Sequence, residues 1–252
     1  MRGCVALAIR KSEWLSTIKK RYRASTSAEL MERTRLSVDF TGDLLAVVPP
    51  NLPRIVDVGC SGGGLAREYL KNNEGCEYIG IEIDPNYAKV AAAHCTRVLV
   101  GDIECMSDEV FDSIAGRSSW IFGDVLEHLY DPWRILSRIR ASIAPDAFVI
   151  ACIPNAQHWS VQARLNCGAF RYEDKGLMDR THIRWFCRAT IDELFQSCGY
   201  AIVDGRSRIV EEAHREVALV GVRAFAKAIG ADIELAATNA TPLQYIVRAV
   251  PV

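Results

Sequence analysis

Residues Ile55 to Tyr69 read I-V-D-V-G-C-S-G-G-G-L-A-R-E-Y. The first four form a short β-branched apolar run with Asp57 near its end, the pattern of a buried parallel strand. Gly59, Gly62, Gly63 and Gly64 follow, and a helical pattern begins at Leu65. Strand, glycine turn and helix make the first half of a βαβ unit. Glycines suit a turn where a ligand approaches the backbone closely or where φ must be positive. The helix then points its free N–H groups at whatever lies above the strand. A glycine-rich turn also serves as a plain tight connection, so the following segments carry the decision.

Glu77 to Glu82, E-Y-I-G-I-E, reads as a second strand ending in an acid, 23 positions after Gly59. That is close to the ~20 expected for a carboxylate that holds a ribose diol. Arg97 to Val100 runs into Gly101-Asp102, and Trp120 to Phe122 runs into Gly123-Asp124. Four consecutive strands thus end in or beside an acid, at the edge where an open parallel sheet binds its ligand.

In order and spacing, D-V-G-C-S-G-G, G-I-E-I-D-P, G-D-I-E and D-V-L-E-H-L resemble the class I S-adenosylmethionine-dependent methyltransferases, over roughly Arg54 to Tyr200. Ser61 departs from the pattern, standing where many members carry glycine. A nicotinamide-binding reading fits worse, because the G-x-G-x-x-G spacing is missing and acids repel a pyrophosphate, whereas the methyl donor is a sulfonium cation. The resemblance implies S-adenosyl-L-methionine as cofactor. It places the backbone of Gly59, Cys60, Ser61 and Gly63, with Asp57 at the strand end, around the methionine part. It gives the ribose hydroxyls to Glu82, the adenine amine to Asp102, the ring faces to Ile83 and Ile103, and the methionine end to Asp124 and Val125. The chemistry agrees, since a diol and an amine donate and carboxylates only accept. The plainer readings are a surface strand-end acid at Glu82 and a turn former at Asp102.

The totals fit one large α/β domain. The chain has 252 residues, half of them hydrophobic, with a formal net charge of −1 and therefore no electrostatic pull towards nucleic acid or membrane. Nine cysteines stand singly, with no C-x-x-C, which suits neither a zinc site nor a disulfide scaffold and fits a reducing compartment. Cys4 to Ile9 is too short for a signal segment, and no apolar run reaches the ~18 residues of a membrane span. The chain reads as soluble and cytoplasmic, with a small-molecule or glycan acceptor and no nucleic-acid partner.

Residues 1–50 read as an N-terminal helical cap, with eight Lys or Arg against three Glu between Arg10 and Arg35. That charge is either a basic arm or a solvated helical face. Residues 51–252 read as the methyltransferase domain. Asp84-Pro85 and Asp131-Pro132 open helices, and Ile135, Ile139 and Ile143 mark a buried stripe. Ala147 to Ile153 is a fifth strand, Thr190 and Glu193 a capping box, and Ala201 to Val203 a sixth strand. Glu211 to Ile229 is a long helix that could serve an interface, and Gln244 to Val247 the last strand. The expected fold is α/β, Rossmann-like and doubly wound, with helices on both faces of a mostly parallel seven-stranded sheet. The resemblance adds that the seventh strand is antiparallel.

Residues 155–187 break the alternation and are expected to form a substrate lid. There, P-N-A-Q-H and D-R-T-H-I-R-W-F resemble a subgroup associated with glycosyltransfer and saccharide assembly. Six Lys or Arg against three acids between Arg164 and Arg188 suggest an anionic acceptor. Arg180 and Arg184 would bind its charge and Trp159 and Tyr172 would stack on a sugar, unless these arginines only pair with Glu173, Asp174 and Asp179. A hydroxyl acceptor needs its proton removed, for which His158, His182 and His128 are the candidates. His94 and His214 are expected on the surface. Asp124, Glu127 and His128 also resemble the E-x-x-E-H that carries a divalent metal in ubiquinone-type O-methyltransferases. This leaves Mg2+-dependent O-methylation of an aromatic or quinone-type acceptor, or a non-catalytic donor-binding scaffold, as alternatives to a saccharide methyltransferase.

Overall fold

A computed structural model describes residues 42–252; the cap residues before Gly42, including the basic stretch Arg10 to Arg35, lie outside the described residues. Seven strands build one sheet: β1 Arg54–Val58, β2 Glu77–Glu82, β3 Arg97–Val100, β4 Ser119–Gly123, β5 Val149–Pro154, β6 Tyr200–Arg208 and β7 Gln244–Pro251. Their order is β3-β2-β1-β4-β5-β7-β6. β1 to β5 pair in parallel, and β7 runs antiparallel between β5 and β6. The order reverses beside β1 and β4, so the crevice above their C-terminal ends is the expected binding place.

The central strands are apolar on both sides because helices cover both faces. On one face Val56, Ile79, Trp120 and Phe122 pack against α4 (Asp108–Ala115), α5 (Pro132–Arg140) and α7 (Arg188–Ser197). On the other, Ile55, Tyr78 and Ile121 meet α1 (Gly42–Leu45) and α2 (Gly64–Leu70). α3 (Pro85–Ala91) is capped as expected, Asp84 accepting from the Asn86 N–H at 2.8 Å with Pro85 in the first turn. Asp131 repeats this at α5, and Ile135, Ile139 and Ile143 are all buried.

Several boundaries differ from the sequence reading. The capping box at α7 is formed by Cys187 and Thr190, not Thr190 and Glu193: the Cys187 N–H donates to Thr190 Oγ1 at 2.9 Å, so the helix starts earlier. The late helix α8 begins at Arg215 rather than Glu211; Glu212 lies ahead of it and accepts from Trp159 Nε1 at 2.8 Å. β6 extends past Val203 to Arg208, through an irregularity between Ile202 and Asp204. α4, with Ser107 as N-cap, and α9 (Ile233–Asn239), with Asp232 as N-cap, were not anticipated.

The 155–187 segment is fixed at its base. Asn155 and Phe186 form a parallel bridge, and the fully buried Asn155 amide donates to the Asn239 and Pro242 carbonyls at 2.8 Å each. It also holds a helix, α6 (Trp159–Asn166). No described helix is long and apolar enough to cross a membrane.

Candidate active site

At two of its glycines the turn leaves little or no room for a side chain. Gly59 has φ 69°, and a Cβ there would lie 2.6 Å from Val125 Cγ2. Ser61 also sits in the left-handed region at φ 49°, which explains why glycine suits this position in similar sequences. Glu82 folds the turn inward, its carboxylate accepting from the Ser61 N–H at 2.8 Å and the Asp84 N–H at 3.0 Å. Its remaining lone pairs are what a diol would find.

Above β1, β2 and β4 lies a cavity of about 540 Å³. Gly59, Ile83, Asp102, Ile103, Asp124 and Val125 line it, six of the expected donor contacts. Ile83 is 68% exposed, an apolar surface held open at the cavity wall. Asp102 caps a short 3-10 turn, Ile103–Cys105, through the Glu104 N–H at 2.8 Å. Glu104, which the sequence reading missed, also lines the cavity and accepts from the Tyr130 and Asp131 N–H groups at 2.9 and 2.8 Å.

Cys60, Ser61, Gly63 and Glu82 shape the turn without lining that cavity. Asp57, expected beside the methionine part, does not line it either. It is buried beneath the turn and accepts from Tyr78 Oη at 2.9 Å. Burial pushes its pKa up to about 7, with Tyr78 opposing and Glu82 adding to the rise.

A second cavity, about 330 Å³, opens on the other side of Asp124 and His128, and both residues line both cavities. Glu127, Asp179, His182, Arg208 and Gln244 complete its polar wall. Asp124 is held at φ 56°, a conformation Asp tolerates better than most residues. Gln244 Nε2 donates to Asp124 Oδ1, and Arg208 Nη1 donates to Gln244 Oε1 at 2.6 Å, which orients that amide. Burial raises the Asp124 pKa, partly countered by Cys152 and Arg208.

Glu127 and the two histidines form the chemical centre of this second cavity. Glu127 is 1% exposed, and neither carboxylate oxygen has a hydrogen-bond partner among the described residues. Burial, then the charge of Asp124, pushes its pKa well up. His128 Nδ1 lies 3.0 Å from the Thr181 carbonyl and His182 Nδ1 lies 3.3 Å from that of Leu177. Donation there leaves each Nε2 with its lone pair free. Burial, then His128, lowers the His182 pKa. Ligand atoms of Glu127, His128 and His182 all lie within 4.8 Å of one another, an arrangement a metal ion can bridge. The 155–187 segment reaches this turn because the Ile183 and Arg184 N–H groups both donate to the Glu127 carbonyl at 2.9 Å.

The other lid candidates lie elsewhere. His158 is fully buried, N-caps α6, and sits between Ser160 Oγ at 2.8 Å and Glu212 Oε2 at 3.2 Å, lining neither cavity. Trp159 donates to Glu212 and faces α8. Arg180 pairs with Asp174, and Arg184 donates to the Tyr130 carbonyl, so both tie loops together. Tyr172 is exposed and packs on Phe170. His94 is half-buried just beyond α3, and His214 is exposed before α8.

The methyltransferase domain family matches residues 31–204. The chain belongs to that family. The ubiquinone biosynthesis O-methyltransferase of Cereibacter sphaeroides is 29% identical over 166 residues, 64% of this chain and 64% of its own length. The chain thus spans about 64% of the length of the curated relatives it matches. Among solved structures, a SAM-dependent methyltransferase from Archaeoglobus fulgidus superposes with a TM-score of 0.53 at 18% identity, covering 94% of this chain and 99% of that one. The O-methyltransferase NcsB1 from neocarzinostatin biosynthesis, in complex with S-adenosylmethionine and 2-hydroxy-5-methyl naphthoic acid, gives 0.52 at 17% identity, covering 96% and 61%. For these methyltransferases the shared feature is the fold, and the first cavity of the present chain lies where its family motifs converge.

Proposed function

We propose that this SAM-dependent methyltransferase methylates a hydroxyl of a small polar acceptor seated in the second cavity, beside a divalent cation held by Glu127, His128 and His182. The junction of the two cavities at Asp124 and His128 carries the reading. Methyl transfer needs donor and acceptor in line, about 3 Å apart, with water excluded. The relatives named as O-methyltransferases support oxygen as the target.

The bare, buried Glu127 carboxylate and two imidazoles with Nδ1 committed to backbone carbonyls fit a cation. When bound, a divalent cation polarises the acceptor oxygen and lowers the pKa of its hydroxyl. The donor set alters the expected ligands: His182 replaces Asp124, whose Oδ1 is engaged by Gln244. Two nitrogens with one carboxylate suit a first-row metal such as Mn2+, Fe2+ or Zn2+ better than Mg2+, which prefers an all-oxygen shell. Glu127, His128 and His182 would hold the cation, and Asp124 would set the wall against which donor and acceptor meet.

The lining supports a polar, oxygen-bearing acceptor. A cavity rimmed by acids, imidazoles and Arg208 suits a hydroxyl with a second oxygen beside it, as in a sugar diol or a dihydroxy ring. The saccharide reading keeps the polar wall but loses its expected aromatic platform, since neither Trp159 nor Tyr172 lines the cavity. A second reading rests on the lowered His182 pKa: a neutral imidazole there can take the hydroxyl proton without a cation.

The test uses donor labelled on its methyl group, with sugar diols and 1,2-dihydroxybenzenes as acceptors. The protein is assayed as purified, after exhaustive chelation, and after return of Mn2+ or Mg2+. Transfer lost on chelation and regained with Mn2+ supports the cation reading. Full transfer after chelation favours His182 as base. Donor binding with no transfer to any acceptor points to the scaffold alternative.

A further inference from the structure

The helix α8 (Arg215–Ala228) is apolar on two opposite faces. Leu219, Val222 and Ala226 face inward, where Leu219 packs with Ala237 and Ala240. The other face carries Val217, Val220, Gly221, Ala224, Phe225 and Ala228, all exposed, with Val217 at 76%, Val220 at 65% and Phe225 at 64%. Their i, i+3, i+4, i+7, i+8 and i+11 spacing forms a continuous stripe. A surface helix normally turns polar residues outward, so a second apolar stripe is an unfilled contact face. Gly221 lies near its centre with nothing within 4 Å of a Cβ built there. Beside it, Phe225, Ala218 and Val222 with Leu165 of α6 wall a groove of about 380 Å³.

We infer that this face binds α8 of a second copy of the chain, antiparallel about a two-fold axis. In that register Gly221 faces the other copy's Ala224, and Val217 faces its Ala228, so small residues meet at the crossing and let the backbones approach. Phe225 falls level with the groove beside Gly221 on the other copy. The charges on one flank select the antiparallel direction. Glu216, near the start of α8, and Lys227, near its end, are both exposed on the flank beside Val220. Antiparallel pairing about a two-fold brings this flank against itself and sets each Glu216, which also pairs with Arg215 of its own chain at 3.1 Å, near the other copy's Lys227, whereas parallel two-fold pairing turns the flank away from its counterpart and leaves both charges without a partner across the contact. A helix of this length spans ~21 Å. The contact is therefore smaller than a standard interface of ~800 Å² per partner, and the dimer belongs to the weak, micromolar class.

Sedimentation velocity of the full chain over a concentration series tests this. A reversible monomer–dimer equilibrium is expected. Gly221→Arg fills open space and improves helix propensity, so its melting curve should hold while its dissociation constant rises roughly 30-fold or more. Val220→Glu should act in the same direction. Glu216→Lys and Lys227→Glu should each weaken the dimer about threefold, and the double variant should restore it. A monomer at every concentration overturns the inference, as would follow if another part of the chain covered α8. A dimer that Gly221→Arg and Val220→Glu leave unchanged, or charge reversals that do not compensate, also overturns it.

Discussion

Glu82 and Glu127 are both buried carboxylates at the same rim of the sheet, and they are held in opposite ways. Glu82 accepts from two backbone N–H groups, which fix the glycine turn before any ligand arrives. Glu127 sits deeper and has no hydrogen-bond partner among the described residues, facing two imidazoles instead. A satisfied carboxylate positions its neighbours. An unsatisfied one costs folding free energy that a ligand can return. The turn beside the first cavity is thus built in advance, while the second cavity keeps its strongest group in reserve.

Replacing Glu127 strikes that contrast hardest. Glu127→Gln should keep the fold, because a neutral amide is easier to bury than a carboxylate, and should lower turnover by ~100-fold or more through loss of the cation. Calorimetric titration with Mn2+ reads the binding directly. In the parent protein, the raised Glu127 pKa means that cation and proton compete, so Mn2+ affinity should rise with pH. If affinity is flat with pH, or if Glu127→Gln binds Mn2+ normally, the contrast collapses.

Glu82→Gln should weaken donor binding by roughly 10- to 100-fold, the scale of a charge-assisted hydrogen bond, with turnover at saturating donor much less affected. The new amide also sets an NH2 against a backbone N–H, so the turn should loosen, which proton exchange at Ser61 would report. A loss confined to turnover would place Glu82 on the acceptor side instead.

Asp57 is a third buried carboxylate, intermediate between the two because Tyr78 partly satisfies it. Its pKa rises from 3.8 to about 7 in the fold. Between those values the folded chain holds a proton that the unfolded chain has released. Stability therefore falls as pH rises through that window, and the loss is complete above it. Asp57→Asn keeps an acceptor for Tyr78 and should flatten this slope, adding stability at pH above about 7 that chemical denaturation can measure. An unchanged slope would assign the dependence to Glu127.

Much of the first cavity's lining is legible in the sequence because each of its parts is contiguous. A strand, its terminal acid and the following cap fall within a few residues, so Gly59, Asp102 and Asp124 could be placed before any fold was known. The second cavity joins residues distant in the chain. Gln244 reaches Asp124 only because β7 inserts between β5 and β6, an order that local patterns do not encode. Arg208 was hidden because alternation along β6 fades after Val203, where the strand is exposed and carries an irregularity. His158 and His182 look equivalent in sequence, both in a histidine-bearing lid. Their difference lies in Glu212, which takes one inward, and in the Glu127 carbonyl, which draws the other to the cavity.

The bridge between Asn155 and Phe186 has a further meaning for how such a chain can vary. Because the two ends of the segment are already joined at the sheet, its interior can lengthen, shorten or be exchanged at a cost that grows only slowly with length. The segment is a cassette on a fixed frame, and in the proposed reading it must keep His182 in place beside Glu127, with the Thr181, Ile183 and Arg184 backbone that meets His128 and Glu127. If the proposed reading holds, chains with this sheet can change acceptor by replacing the cassette around that histidine, while the strand ends around the first cavity stay as they are.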